Sequence, residues 1–295
     1  MKYLFAMAAL FFSLFCIAEE PLCQHNNDNC IGVGQWQVSV AVGAGVLTNP
    51  LSGGDNLPLL VVPYVSYYRD KFFLENTTMG YTFAESTDFD LSVITEPNTE
   101  QAFFERFHIR NLIAPGTYGT TEGNIVSESD VTVPVTPERV VSIDDIAKRR
   151  WALDSGLLGH WYLSENSKVS LQWLHDISGT YQGSHVKAAY HYQMKPLENV
   201  PIKLHLMAGV HWKDGSLVNY YYGLHERDGV DESLFYSGES VLTPVVGATI
   251  NYKLSDDWVV KLSMKRQFLG SGIKNSPLIE KSHVTYLFVG GVYAF

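Results

Sequence analysis

Long segments of the chain alternate apolar and polar residues with a period of two, and this alternation constrains the fold more than any other feature. In 258–268, for example, Lys261, Ser263 and Lys265 separate the apolar positions. The same alternation runs through 35–46, 184–194 and 202–213. Successive side chains of a β-strand point to opposite faces, so each segment predicts a strand with one apolar and one polar face.

The predicted strands are long, and the chain carries few charges. Strands of roughly 10–13 residues exceed the usual length in soluble proteins and match the span that a tilted strand needs to cross a bilayer. Charged residues make up 18% of the 295 residues, aromatic residues 13%, and the net charge is −10. This composition excludes a disordered chain and a basic nucleic-acid binder. Beyond residue 18 no apolar run has the length of about 20 residues that a transmembrane helix requires.

These features predict an all-β fold, a transmembrane antiparallel up-and-down β-barrel surrounded by lipid in the outer membrane of a Gram-negative type cell. The expected number is about 12 strands, with 10 or 14 as alternatives. The predicted strands are 35–46, 57–69, 72–82, 88–96, 151–163, 168–177, 184–194, 202–213, 219–226, 242–254, 258–268 and 283–295. A soluble sandwich or lipocalin-like barrel is the competing interpretation, but it should carry more surface charge.

The chain begins with the pattern of a secretory signal peptide. In 1–18 a lysine precedes an apolar stretch that ends in small residues, which is typical of a cleaved leader, with a membrane anchor as the alternative. The segment 19–34 follows and holds Cys23 and Cys30. Two cysteines in an exported protein predict a disulfide. The remainder, 35–295, is the predicted barrel domain.

One part of the barrel domain, 97–150, lacks the alternation and is rich in proline and acidic residues. Counting strands from both ends places this insertion on the periplasmic side, where long connections are unusual. It either contains two more strands, at 102–113 and 131–141, or is a separate periplasmic element. Within it, 142–150 is predicted to form a short helix with Ser142 as its N-cap.

Aromatic and basic side chains occupy characteristic positions in the predicted strands. The tryptophans, close to strand ends, are predicted to form aromatic girdles at the membrane interfaces: Trp36, Trp151, Trp161, Trp173, Trp212 and Trp258. Basic residues on the polar faces are predicted to line the lumen: Lys187, His191, Lys203, His205, His211, Lys261 and Lys265. These cations either favour anions in the lumen or pair with Asp154 or Glu75 without conduction.

The chain ends in a pattern with Gly290, an aromatic Tyr293 and a terminal Phe295. This spacing resembles the signal that the outer-membrane barrel assembly machinery reads, so that machinery is an expected partner. The last strand must also close against the first, which ties its sequence to barrel closure.

Short motifs recur in a fixed order along the chain. They are 63–73, 80–81, 149–151 with 155–156, 221–224, Trp258 after a short turn, 275–278 and 293–295. Together they resemble the MipA/OmpV family of MltA-interacting outer-membrane proteins. The resemblance implies a scaffold that links a murein lytic transglycosylase to a murein synthase, or an outer-membrane antigen or adhesin. The segment 97–142 is longer than the family's usual linker, and the Cys23 and Cys30 segment departs from its pattern.

Residues with catalytic or metal-binding chemistry are scattered. The candidate pairs are His175 with Asp176, His225 with Glu226, and His283 near Ser276. Neighbours in a strand point to opposite faces, so His225 and Glu226 should not pair. His205 and His211 lie too far apart along one strand to chelate a metal together. We therefore expect a non-catalytic protein with no metal or cofactor and no nucleic-acid partner; a small channel and an outer-membrane hydrolase are the alternatives.

Overall fold

Antiparallel pairing between successive strands closes the sheet on itself. The computed structural model describes residues 34–106, 141–196 and 200–295. The strands are β1 (Trp36–Leu47), β2 (Leu57–Pro58), β3 (Val61–Arg69), β4 (Phe72–Glu75), β5 (Thr78–Glu85), β6 (Phe89–Pro97), β7 (Leu153–Ser164), β8 (Ser167–Asp176), β9 (Ser184–Met194), β10 (Ile202–Lys213), β11 (Val241–Lys253), β12 (Trp258–Phe268) and β13 (His283–Ala294). The last strand, β13, pairs with β1 and completes the ring. The short β2 continues β3 along β1, so the barrel has 12 strands, as predicted.

The outer face of the barrel is apolar. On β12, Val260, Leu262 and Met264 are 40%, 43% and 45% exposed, and Lys261 and Lys265 alternate with them on the inner face. So large an apolar surface is unfavourable in water and suits the hydrocarbon of a membrane. In the described part of the chain, no helix has the length and apolarity to cross a bilayer.

A lysine on this outer face is expected to destabilise the barrel strongly. Leu262→Lys should lower the free energy of unfolding in lipid vesicles by about 2–4 kcal/mol, because its ammonium group would face hydrocarbon. The neighbouring Ser263→Lys places the same charge in the lumen and should have a smaller effect. Urea titration monitored by tryptophan fluorescence measures both variants. Equal destabilisation would contradict the assignment of the two faces.

The predicted strand 72–82 is wrong, because the structure divides it into two strands. The chain turns at Asn76, which adopts a left-handed backbone with φ 52°, a conformation that asparagine tolerates better than most residues. The Asn76 backbone N–H donates to Val65 O at 2.7 Å. Its side chain accepts from Val65 N at 3.1 Å. The asparagine thus ends the short β4 and starts β5, which the period-two pattern did not reveal.

The predicted strand 219–226 is also wrong. Its first residues instead belong to the helix α1 (Gly215–Tyr222), and the Asp214 side chain caps the helix N-terminus by accepting from Leu217 N. The buried positions, Leu217, Val218, Tyr221 and Tyr222, follow the spacing of one helix face. The prediction merged β4 and β5 into one strand and added a strand at 219–226. These two errors cancel, so the predicted number of strands is correct.

The missed turn changes the side of the barrel to which the long insertion belongs. One end, called the turn end below, holds the start of β1, the end of β13 and the short connections 70–71, 86–88, 165–166, 195–201 and 254–257. The other, the loop end, holds the connections 98–152, 177–183, 214–240 and 269–282. Outer-membrane barrels turn tightly in the periplasm and carry longer loops outside. The periplasmic placement predicted for 97–150 rests on a strand count that misses this turn. The described ends of the connection, 98–106 and 141–152, lie at the loop end, with the longer loops.

The described parts of that connection contain two short 3₁₀ helices, Glu100–Phe104 and Ile143–Asp145. Ser142 caps the second, as predicted, with its side chain accepting from Asp144 N. The helical segment ends at Asp145 and does not continue to residue 150. Most of the two extra strands considered at 102–113 and 131–141 falls outside the described residues.

A hydrophobic core closes the loop end of the barrel. It combines α1 with the short helix α2 (Ser271–Lys274) and residues from the connections around them. Its buried members are Leu51, Val141, Ile143, Ala152, Tyr181, Leu217, Val218, Tyr221, Tyr222, Leu224, Val241, Leu269, Ile273, Leu278 and Val284. We call this packed set of loops the cap. Its apolar burial gives the loops a fixed structure on top of the lumen.

Candidate functional site: the lumen and its cap

Charged side chains are distributed unevenly around the inner face of the barrel. Basic side chains point inward from β9 to β12: His185, Lys187, His191, Lys203, His205, His211, Lys213, Lys253, Lys261 and Lys265. Among the described residues, the inward positions of β9 to β13 hold no aspartate or glutamate. The inward acids all lie on β4 to β8: Glu75, Glu85, Asp90, Glu96, Asp154 and Asp176. The inward cations His160 and Lys168 lie on β7 and β8 as well, so this sector is mixed in charge. The excess of positive charge on β9 to β12 creates an electric field across the lumen.

Most inward acids already have partners. Glu96 Oε1 lies 2.8 Å from Lys187 Nζ, and Asp154 Oδ2 lies 3.0 Å from His185 Nε2. Of the two acids considered as partners for the lumen cations, Asp154 therefore pairs with a histidine, and Glu75 accepts a hydrogen bond from the Tyr68 hydroxyl. Glu96 was not singled out from the sequence, because its contact with Lys187 joins strands that are distant along the chain.

The basic sector borders a cavity of about 780 Å³ inside the barrel. Lys187, His191, His211 and Lys265, all predicted to face the lumen, line this cavity. The acids Asp55, Glu100 and Glu105 also line it. Amide, hydroxyl and apolar groups complete the wall, including Ser170, Gln172, Met207, Gln267 and Tyr286. The volume lies within the range of about 300–1,000 Å³ that small-molecule sites occupy.

The other predicted lumen residues lie nearer the turn end. Lys261 Nζ donates to the Tyr64 hydroxyl at 3.2 Å and lies 4.6 Å from the centre of its ring. His205 interacts electrostatically with the positive charges of Lys203 and Lys261. The basic sector therefore continues from the cavity toward the turn end.

A buried ion pair holds the cap together. Arg149 Nη1 lies 2.7 Å from Asp228 Oδ1, and the two side chains are 1% and 0% exposed. The same guanidinium donates to the backbone oxygens of Tyr221 and Gly223. Burial raises the pKa of Asp228, but hydrogen bonds from Arg149 and His225 N outweigh it and hold the pKa below its ordinary value. Arg149 thus joins the long insertion to the end of α1.

A second buried pair links the cap to the barrel wall. Lys213 Nζ at the end of β10 donates to Glu100 Oε1 at 2.5 Å, and the Tyr222 hydroxyl donates to the other carboxylate oxygen. Burial acts to raise the pKa of Glu100, yet the charge and hydrogen bond of Lys213 lower it below its ordinary value. Glu100 and Lys213 are 113 residues apart in the chain, so no local pattern could have identified them.

The cap is expected to loosen in acid. Glu100 and Asp228 have lowered pKa values in the folded state. Their contribution to the stability of the cap is therefore fully present above the unfolded pKa of about 4 and is lost as the pH falls through the folded pKa. Lowering pH from neutral to about 3 should increase protease cleavage of the loop-end connections. Intact barrel strands, monitored by circular dichroism, are the control. Unchanged cleavage would contradict the role of the two carboxylates.

None of the three catalytic pairs is assembled among the described residues. His175 points outward and contacts Ser184 Oγ at 2.9 Å, while Asp176 points inward and accepts from backbone N–H groups of the loop that follows. His225 Nε2 contacts Asn219 Oδ1. Ser276 donates to the backbone oxygen of a helix residue and His283 contacts an arginine. The structure therefore does not bring the three suggested pairs together.

One serine–histidine contact does occur in the cavity wall. Ser170 Oγ lies 3.1 Å from His191 Nε2. Asp90, an inward carboxylate on β6, lies 3.0 Å from His160 and forms its described histidine contact there. A nucleophilic relay needs an acid that orients the base, and the described contacts do not give His191 one. The described residues also hold no group of three or more potential metal ligands.

The six tryptophans fall at both ends of the barrel. Trp36, Trp161 and Trp258 lie toward the turn end, and Trp151, Trp173 and Trp212 lie toward the loop end. All but Trp212 are at least 40% exposed. The ring centres of Trp36 and Tyr67 are 4.8 Å apart. This arrangement suits side chains at two membrane interfaces, and girdle formation stays a prediction.

The residues of the predicted assembly signal lie on the closing strand. Gly290 faces Gly43 across the seam between β13 and β1. Tyr293 contacts Trp258 with ring centres 5.1 Å apart, and the Phe295 N–H donates to Val38 O. Recognition by the assembly machinery stays a prediction. Cys23 and Cys30, with the rest of 1–33, lie outside the described residues.

Comparison with known proteins decides the family. The family model described as MltA-interacting protein MipA matches residues 40–295. The chain belongs to the MipA family. It is 24% identical over 175 residues to outer membrane protein Omp26La of Vibrio anguillarum, covering 59% of this chain and 62% of that protein. It is 22% identical over 260 residues to the putative outer membrane protein YiaT of Escherichia coli K12, covering 87% and 89%.

Another relative of this MipA family chain is also named as an outer membrane protein. Outer membrane protein OmpV of Vibrio cholerae is 22% identical over 175 residues, covering 59% of this chain and 62% of that protein. The matches to Omp26La and OmpV thus span about three fifths of those relatives. Among solved structures, the NanC porin has a TM-score of 0.41 and 8% identity, covering 87% of this chain and 98% of that chain. The protein is an outer-membrane β-barrel of this family, as the sequence predicted.

Proposed function

We propose that this protein is a non-catalytic scaffold at the cell envelope whose turn end binds a murein lytic transglycosylase. The observation that carries the proposal is the packed cap. Its core and its two buried ion pairs fill the loop end over the lumen, which argues against a wide pore and favours a function carried by the opposite, turn-end surface. The family description, MltA-interacting protein, supplies the class of partner, and a murein synthase is a second partner in the same assembly.

The turn end is the surface that such a partner would reach. It carries the short turns with exposed Glu165, Asp256 and Asp257. The segment 19–34 immediately precedes β1 in the chain and is a further candidate contact. The connection 97–150 belongs to the loop end, so it is not part of the proposed binding surface.

Site-specific crosslinking in intact envelopes tests the proposal. A photoreactive amino acid at Glu165, on the turn end, should crosslink to a murein transglycosylase identified by mass spectrometry. The same amino acid at Glu232, an exposed position on the loop end, is the matched control and should not. Crosslinking of a murein enzyme from Glu232 alone, or from neither position, would refute the scaffold.

A further inference from the structure

Lys265 stands apart from the other cations of the cavity. Its side chain projects from β12 into the cavity with much of its surface open to that space. Within the described residues, no hydrogen bond or ion pair engages its ammonium group. Lys187, a lining residue whose charge acts on Lys265, is also positive. Lys265 thus has a repulsive neighbour, and no carboxylate of the described residues forms an ion pair with it.

Among the described residues, no acid in or near the cavity forms an ion pair with Lys265. Glu96 is engaged by Lys187, Glu100 by Lys213 and Asp55 by Arg106. Glu105 keeps its negative charge, and its described contact is a hydrogen bond of 2.6 Å from the Gln101 amide. A cation enclosed by protein and facing a like charge is stabilised by a counter-ion. The described wall of this cavity supplies no counter-ion in contact with Lys265, so a bound anion could take that role.

We propose that the cavity binds a small organic anion about the size of a sugar acid or sugar phosphate. The anionic group would lie between Lys265 and Lys187, with the imidazoles of His191 and His211 beside it. Charge-assisted hydrogen bonds from ammonium groups are among the strongest polar contacts. The volume of about 780 Å³ admits a ring-sized molecule with its water.

The remaining wall suits the rest of such a molecule. Ser170, Gln172 and Gln267 offer hydroxyl and amide groups to sugar hydroxyls, and Met207 and Leu158 offer apolar contact to the ring face. A few polar groups set in a mostly apolar wall are typical of small-molecule sites. Phosphate and carboxylate share the chemistry that Lys265 and Lys187 recognise, so the test includes one of each.

Isothermal titration calorimetry of the full-length protein in detergent micelles tests the site with three probes: glucuronate, glucose 6-phosphate and neutral glucose. At least one anionic sugar should bind with saturation and should weaken as salt is added, and glucose should not bind. Stronger binding of glucuronate or of glucose 6-phosphate identifies the preferred anionic group. Lys265→Gln should weaken the binding by about tenfold or more, since a charge-assisted contact is lost.

Lys253→Gln is the matched control, because it removes the same charge from the rim, where Lys253 Nζ pairs with Asp256 at 3.1 Å. It should bind the anion as the unmodified protein does. Both variants are first checked for heat-modifiable migration, which reports a closed barrel. No saturable binding of either anion, equal binding of glucose, or equal weakening by the two substitutions would overturn the proposal. The crosslinking test of the scaffold is independent of all three outcomes.

Discussion

Replacement of Arg149 by alanine is expected to open the cap while the barrel stays closed. Asp228 would keep its buried position without the guanidinium that neutralises it, and removing one partner of a buried ion pair costs about 3–5 kcal/mol. Native-state hydrogen exchange of the α1 amides, including Leu217 and Val218, should show this loss as faster exchange. Amides of β11 and β12 should exchange as slowly as before, because their bonds lie in the barrel wall.

A second arginine provides the control for this experiment. Arg227 Nε lies 3.8 Å from Asp228 Oδ2, and its side chain is 43% exposed. An exposed pair contributes little, so Arg227→Ala should change the exchange free energy by less than about 1 kcal/mol. The double variant Arg149→Met with Asp228→Asn should be less destabilised than Arg149→Ala, since it buries no unpaired charge. Equal effects of the two single arginine variants would contradict a stabilising role of the buried Arg149–Asp228 pair.

Replacement of Gly290 by alanine is expected to prevent closure of the barrel. A Cβ at this position would lie 2.5 Å from Val42 O and 2.8 Å from Gly43 Cα, both backbone atoms of β1. Backbone across a hydrogen-bonded seam cannot move aside as a side chain can, and overpacking of this kind lowers the folded fraction by about tenfold or more. Refolding into detergent, followed by the heat-modifiable band on a gel, measures that fraction.

Gly247→Ala is the comparison for the seam substitution. Gly247 also lies within a strand, but the nearest atom to its added Cβ would be Met264 O at 3.4 Å, an ordinary contact distance. This variant should refold nearly as well as the unmodified chain. If both alanine variants refold equally, the close approach of β13 to β1 does not limit closure.

The strand pattern illustrates what local sequence can predict. Alternation along 202–213 and 258–268 identified two strands and their lipid and lumen faces, because side-chain direction in a strand depends on position parity alone. The same rule placed Lys187, Lys265 and His211 in the lumen, where the structure has them. It failed at Asn76, where a side chain replaces a backbone partner and the strand turns within an apparently continuous pattern.

The alternation of the chain therefore determined the fold class, the membrane location and the basic character of the lumen. The tertiary structure decided how the loop end is closed and which acids balance which cations. The Arg149–Asp228 pair joins residues 79 positions apart, and the Lys213–Glu100 pair joins residues 113 positions apart. Such partners meet after the ring has closed and the connections have folded onto it, so the excess positive charge at Lys265 is a property of the assembled barrel.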